Sequence, residues 1–255
     1  MESGGNMNLA GKTILVTGAT RGIGRELTRQ FVEAGAHVVA AGRDHGRLES
    51  LASDHADRVT PWAVDLADPE AVDIFMRELT DRHPQLSIVI NNAGVQTLTD
   101  FLGEDPRTTR AALRREVAIN LDGVIALSTG LLPRLRRQSA AAIVNITSGL
   151  AVSPKRSAPV YCATKAGVRV FTRALRYQCQ DAAPHVRVID VVLPIVDTDM
   201  TRGRGRGKIS ATAAAAAVIT GIHRGSTEIY VGRTKLLPAV MRLSPTLGYR
   251  ILRNG

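Results

Sequence analysis

Short apolar runs alternate with longer amphipathic stretches from one end of the chain to the other. The runs at 13–17, 37–41, 59–64, 87–91, 142–147, 186–193 and 228–231 read as strands. The first of them are continuously apolar, the pattern of strands buried on both faces of a parallel sheet covered by helices. Between them, Ile23, Leu27 and Phe31 recur every four residues, and Val72, Phe75, Met76 and Leu79 make a second stripe. Such stripes predict helices with one buried face. Asp68-Pro69 predicts a helix start, an acid to cap free N–H groups followed by a proline that has none to satisfy. Further helices are predicted over 106–137 and 158–181, and the Ala-rich 211–217 reads as plain helix. The alternation predicts an α/β fold, a single doubly wound domain with a mainly parallel sheet of about seven strands. Its expected bounds are 9–232, with a flexible start at 1–8 and an apolar tail at 233–255 packed on the domain or on a partner subunit.

Composition narrows the setting. The chain has 255 residues, 44% hydrophobic and 22% charged, as in ordinary globular proteins. No uninterrupted apolar run reaches the ~18 residues of a bilayer span, so no transmembrane segment is expected. The polar, Gly-rich start lacks the basic and apolar regions of a signal peptide. Cys162 and Cys179 fall on one predicted helix, too far apart for a disulfide, and a reducing cytoplasm fits them best. The net charge of +10 admits polyanion binding. Its bland explanation is an arginine-rich surface with a pocket for a phosphorylated cofactor. The dense run Arg202, Arg204, Arg206 and Lys208 has no interleaved aromatic residues on which bases could stack, which argues against a nucleic-acid partner.

The first strand leads into Thr17-Gly18-Ala19-Thr20-Arg21-Gly22-Ile23-Gly24, and a helix follows. Glycines there permit a tight turn and close backbone approach, and the helix start offers free N–H groups to a pyrophosphate. At the end of the second strand an NAD site would place an acid for the ribose 2′-hydroxyl. Gly42 holds that position instead, Arg43 follows it, and Arg21 can approach from the glycine loop. Two guanidiniums suit a 2′-phosphate, so NADP(H) is expected over NAD(H). Asp44 reads as a helix cap.

Strand five ends at Ile146-Thr147-Ser148-Gly149, where strand ends of such sheets face the ligand crevice. Tyr161 and Lys165 lie one helical turn apart, on one face. A free tyrosine, with a pKa near 10, is a poor acid–base at neutral pH, and a neighbouring ammonium favours its phenolate. In order, Thr17-Gly18-x-x-x-Gly22-Ile23-Gly24, Asp65-Leu66, Asn91-Asn92-Ala93-Gly94, Asn120, Ser148 and Tyr161-x-x-x-Lys165 resemble the short-chain dehydrogenase/reductase family, in its compact branch. The resemblance implies a Rossmann-type fold and a reaction that moves hydride between nicotinamide and a carbonyl or secondary alcohol. It implies that Asp65 and Leu66 flank the adenine, and that Asn92, Ala93 and Gly94 border the ribose. Ser148 would hydrogen-bond the substrate oxygen and Tyr161 would exchange its proton. Lys165 would hold the nicotinamide ribose and lower the tyrosine pKa, and Asn120 would hold a relay water. No metal is expected, and the partners implied are a small carbonyl or alcohol substrate and further copies of the chain in a homodimer or homotetramer.

Three departures accompany the resemblance. After strand six the family's usual Pro-Gly-x-Val-x-Thr is Leu193-Pro194-Ile195-Val196-Asp197-Thr198. That form is similar to a group of bacterial oxidoreductases related to DltE, and Val196 and Thr198 keep the expected nicotinamide-placing positions. The lid is short. Arg202-Gly203-Arg204-Gly205-Arg206-Gly207 cannot form a stable helix and reads as a flexible basic rim, either a solvated loop or an attractor for an anionic substrate handle. The usual Asp-Gly-Gly end is absent, and the apolar tail is expected to cap the cleft, meet a second subunit or touch a membrane surface, in that order. Two other functions fit parts of the sequence: a non-catalytic NADP-binding regulator or scaffold, and an epimerase or dehydratase. Retention of Asn120, Ser148, Tyr161 and Lys165 speaks against the first, and the short C-terminal half against the second.

Overall fold

The computed structural model describes residues 6–55, 57–103 and 105–254. Its strands are β1 (Thr13–Thr17), β2 (His37–Gly42), β3 (Val59–Ala63), β4 (Leu86–Asn91), β5 (Ala141–Ser148), β6 (Val186–Leu193), β7 (Val196–Asp197), β8 (Ile209–Ser210) and β9 (Glu228–Tyr230). Seven of them make one parallel sheet in the order β3-β2-β1-β4-β5-β6-β9, while β7 and β8 pair separately. Strand order reverses between β1 and β4, which opens a crevice at the C-terminal ends of these strands. The helices are α1 (Gly22–Glu33), α2 (His45–Ser53), α3 (Pro69–Arg82), α4 (Pro106–Val117), α5 (Gly123–Gly130), α6 (Leu132–Leu135), α7 (Pro159–Ala182), α8 (Ala211–His223), α9 (Leu237–Leu243) and α10 (Pro245–Ile251).

Two apolar layers hold the sheet. Alternate residues of one strand feed opposite layers: Ile14 and Val16 join Leu27 and Phe31 of α1 and Val218 of α8, while Leu15 joins Phe75 and Leu79 of α3 and Leu175 of α7. Every residue of β1 and of β4 is buried, as their apolar centres, Ile14–Val16 and Ile88–Ile90, predict. Asp68 caps α3 by accepting from the Glu70 and Ala71 amides at 3.0 and 3.2 Å. Asp44 caps α2 through the Arg47 amide at 3.1 Å. Cys162 and Cys179 both lie on α7, buried and unpaired.

Two expectations change. The helix predicted over 106–137 is α4, a π-helical turn at Ala118–Asp122, then α5 and α6. Periodicity cannot register the extra residue of a π turn, and Gly130 and Pro133 loosen the far end. By length and composition alone Arg107–Leu135, taken together, would reach across a membrane, as a buried core helix also does; 44% of its span-length window is buried in this domain, so the expectation of no transmembrane segment is not overturned. The flexible start expected at 1–8 lies mainly outside the described residues. Met7, however, is buried, and its N–H and C=O bond to the His223 carbonyl and ring at 2.9 and 3.0 Å.

The tail folds onto the same chain. Ser153 donates to the Gly248 carbonyl at 2.6 Å, the Arg156 amide to that of Arg253 at 3.0 Å, and Leu237 and Leu252 close over Gly149. It therefore lies against the loop that follows Ser148, with Leu236, Leu243 and Leu247 facing outward.

Candidate active site

The phosphate-type loop is shaped by contacts that exclude side chains. Gly18 has φ +65°, and a Cβ there would stand 2.9 Å from the Ala93 Cα. A Cβ on Gly24 would stand 2.1 Å from the Gly18 carbonyl oxygen, so α1 approaches β1 as only glycine allows. Thr17 locks this turn to the next strand: its hydroxyl donates to the Ile90 carbonyl at 3.2 Å and accepts from the Asn92 and Ala93 amides at 3.0 Å each. The Asn92 side chain returns a bond to the Thr17 carbonyl at 2.9 Å. Helix α1 starts at Gly22 with no side-chain cap and no acid in its first turn, leaving its leading N–H groups for an anion. Ile23 packs behind them on the core. Opposite stands Thr198, whose methyl would lie 2.8 Å from a Cβ on Gly22. A cleft of about 320 Å³ opens there, lined by Gly22, Asp197, Thr198, Asp199 and Arg202. Thr198 is held by a reciprocal cap with Thr201, whose hydroxyl also bonds the Val196 carbonyl, so Pro194 leaves an ordered loop behind it.

At the end of β2, Gly42 faces the Thr20 side chain, Arg43 is exposed, and Arg21 reaches Asp44 at 3.5 Å. Asp65 is engaged otherwise. Burial would raise its carboxyl, yet two bonds from Arg115 at 2.8 and 2.7 Å and one from the Ala67 amide hold it below the usual range. Leu66 packs against Gly123 at the start of α5.

The chemical residues meet on the other side of the crevice. Ser148 ends β5, with its hydroxyl accepting from the Leu150 amide at 3.1 Å and hydrogen-bonded to Tyr161. Lys165 is buried and donates to the Ile146 carbonyl at 2.8 Å, with its Nζ 5.8 Å from the centre of the Tyr161 ring. The π turn aims Asn120 at the loop after β4, where its amide accepts from the Val95 N–H at 2.9 Å and donates to the Val95 carbonyl at 2.8 Å. Gly94 sits between Asn120 and Lys165, its Cβ position 3.4 Å from one and 3.7 Å from the other.

Electrostatics here depart from expectation. Lys165 was expected to lower Tyr161. Instead burial pushes the phenol up to about 12, with Cys162 and Glu116 adding and Ser148 and Arg204 opposing. Burial also drives Lys165 down to about 8, only partly offset by Asp190, so its charge is itself costly. Spacing on a helix shows that two groups are neighbours, not how much water they have lost.

Glu116 was not anticipated. One turn before Asn120, it is fully buried and accepts from the Thr97 amide at 3.0 Å; burial raises its carboxyl, and Oε1 has no hydrogen-bond partner among the described residues. Its position one turn from Asn120 was the available signal, hidden in the charged run Arg114-Arg115-Glu116.

Residues 12–208 match the family model for short chain dehydrogenase. The chain is 34% identical over 197 residues to the uncharacterized oxidoreductase DltE of Bacillus subtilis, covering 77% of this chain and 76% of that one. It is 34% identical over 180 residues to the NADP-dependent 3-hydroxy acid dehydrogenase YdfG of Salmonella typhi, covering 70% of each. A short chain dehydrogenase from Burkholderia cenocepacia, solved in complex with NADP, superposes with a TM-score of 0.84 at 29% identity, over 98% of this chain and all of that one. With the glycine loop, the strand order and the Ser148–Tyr161–Lys165 cluster on one crevice, the chain belongs to the short chain dehydrogenase family of oxidoreductases.

Proposed function

We propose that the protein is an NADP(H)-dependent oxidoreductase that interconverts a ketone and a secondary alcohol. The carrying observation is that Ser148, Tyr161, Lys165 and Asn120 cluster around the loop after β4, where Gly94 lies between Asn120 and Lys165 and Ala93 lies against Gly18 of the glycine loop. The loop fits a dinucleotide: Cβ-excluding glycines and the uncapped start of α1 accept a pyrophosphate. Arg21 and Arg43 would hold the 2′-phosphate, with Thr20 beside them. Asp65 and Leu66 would border the adenine, Asn92, Ala93 and Gly94 the ribose, and Val196 and Thr198 the nicotinamide end. When bound, NADP(H) supplies or accepts the hydride at the nicotinamide C4 carbon.

The chain's own part is binding and proton transfer. Ser148 donates to the substrate oxygen and orients it toward Tyr161. At a pKa of about 12 the phenol keeps its proton at any physiological pH, as a donor to a forming alkoxide must. Lys165 holds the nicotinamide ribose, and its ammonium, once stabilised by that contact, steadies the phenolate left behind. Both Asn120 amide protons are engaged, by Val95 and by Thr164 at 3.4 Å, and the role proposed for Asn120 is to hold a relay water that links Lys165 to solvent. The Burkholderia structure with NADP and the name of the Salmonella relative support the phosphorylated cofactor.

Steady-state assays of a ketone panel with NADPH and NADH test this reading. NADPH oxidation should exceed NADH oxidation, and Arg43→Asp should weaken NADPH binding roughly tenfold to a hundredfold, the loss of one charge-assisted contact. Equal affinity of the parent for both cofactors would contradict the assignment of Arg21 and Arg43.

A further inference from the structure

The loops that follow β4, β5 and β6–β7 converge near Tyr161, and each brings one polar side chain: Gln96, Lys155 and Arg204. The Arg-Gly run lies at the surface, with Arg202, Gly203, Gly205, Arg206 and Gly207 exposed and Arg204 half-buried. Gly203 and Gly205 take φ of +71° and +69°, and Gly205 lies so close to Ile195 that a Cβ would stand 2.2 Å from its Cδ1. The run touches the body of the protein at Gly205 and Gly207, through the side-chain ends of Ile195 and Arg233. Arg202 and Lys208 are paired with Asp199 and Asp197, and Arg206 is exposed. Arg204 alone in the run is turned partly inward, where its Nη1 donates to the Gln96 side-chain carbonyl at 3.0 Å. That neutral partner leaves the Nε–Nη2 edge of the guanidinium, the fork that matches two carboxylate oxygens.

Lys155 is fixed beside it. Its N–H donates to the Cys162 sulfur at 3.3 Å, and that thiol donates back to its carbonyl at 3.8 Å, one residue from Tyr161. Lys155 is half-buried, and burial, with the field of Arg204 adding to it, lowers its ammonium. The same guanidinium also acts on the Tyr161 phenol. Neither cation has a carboxylate partner among the described residues. Glu116, whose field reaches Tyr161, is buried and bonded to the Thr97 amide. Two like charges held together at partial burial are costly unless an anion joins them.

We propose that Arg204 and Lys155, with Gln96 as brace, form an anion subsite at the mouth of the cleft, and that the natural substrate is an oxo acid or hydroxy acid whose carboxylate docks there. The subsite rests on the oxidoreductase reading for its substrate, but its binding can be tested apart from turnover.

The test uses the full chain with NADP bound and has two arms. In calorimetric titration, hexanoate should bind roughly tenfold to a hundredfold tighter than hexanamide, the range for one charge-assisted contact. Arg204→Met and Lys155→Met should each remove most of that difference, and Arg206→Met should not. In the kinetic arm, 3-oxohexanoate should be preferred over its methyl ester, and Arg204→Met should raise KM for the acid while leaving the ester unaffected. Equal binding of hexanoate and hexanamide, or an Arg206→Met effect as large as that of Arg204→Met, would overturn the subsite. Selective hexanoate binding without turnover of any ketone would sustain the subsite and overturn the ketone–alcohol reading instead.

Discussion

At the scale of single residues, the site is governed by lost solvation. Tyr161 and Lys165 are neighbours, as the four-residue spacing implies, but burial moves their pKa values apart from expectation, to about 12 and about 8. This has a measurable consequence for the cofactor-free protein. The unfolded Lys165 has its ordinary pKa of 10.5 and the native one about 8, so between those values the unfolded chain holds a proton that the native chain has released. Stability therefore rises with pH across that window. Tyr161 acts oppositely between 10 and about 12, where the native chain holds the extra proton. The difference in unfolding midpoint between parent and Lys165→Met, followed from pH 8 to 10, should move in favour of the parent; a flat difference would show that Lys165 is not desolvated. Tyr161, Lys165, Ser148 and Asn120 were legible because their chemistry is written in residue type and order. Arg204 and Lys155 were legible only as charges, since which cations lack a carboxylate depends on how three separate loops meet. Glu116 was illegible because a buried acid and a solvated one look alike in a charged run.

At the scale of elements, the seven strands of the main sheet were read nearly to the residue, because apolar runs bounded by polar turns admit few alternatives, whereas the two-residue β7 and β8 were not read at all. The π turn at Ala118–Asp122 was not, since it inserts a residue without changing the apolar pattern, yet it aims Asn120 at Val95. The β1–α1 turn is the element on which the cofactor reading depends most. Gly24→Ala puts a methyl 2.1 Å from the Gly18 carbonyl, a backbone group that cannot swing aside. It should destabilise the protein by about 1–3 kcal/mol, as overpacking does, and abolish tight NADPH binding. Chemical denaturation and a fluorescence titration check both; a stable variant with parental affinity would show that the turn is looser than described.

At the scale of the whole molecule, one face is left unfinished. A groove of about 550 Å³ lined by Phe101, Leu113, Val117 and Val160 crosses α4 and the start of α7, and Val170 and Tyr177 project from α7 at 70% and 57% exposure. Apolar area of this kind is typical of subunit interfaces. Light scattering at micromolar concentration should give a dimer or tetramer, and a monomer would contradict that assembly. The fold class was legible because α/β alternation leaves one economical topology. The path of the tail was not, because its apolar residues name no partner; the contacts of Leu237, Gly248, Leu252 and Arg253 with the loop after Ser148 show where it lies.

The central claim is that Tyr161 is the proton donor of a hydride-transfer site. The most direct measurement compares NADPH binding and ketone reduction in the parent and in Tyr161→Phe, which removes only the hydroxyl. NADPH affinity should be unchanged, and turnover should fall roughly a hundredfold to ten-thousandfold, the usual worth of general acid–base assistance. Near-parental turnover in Tyr161→Phe, on a ketone that the parent reduces, would contradict the assignment.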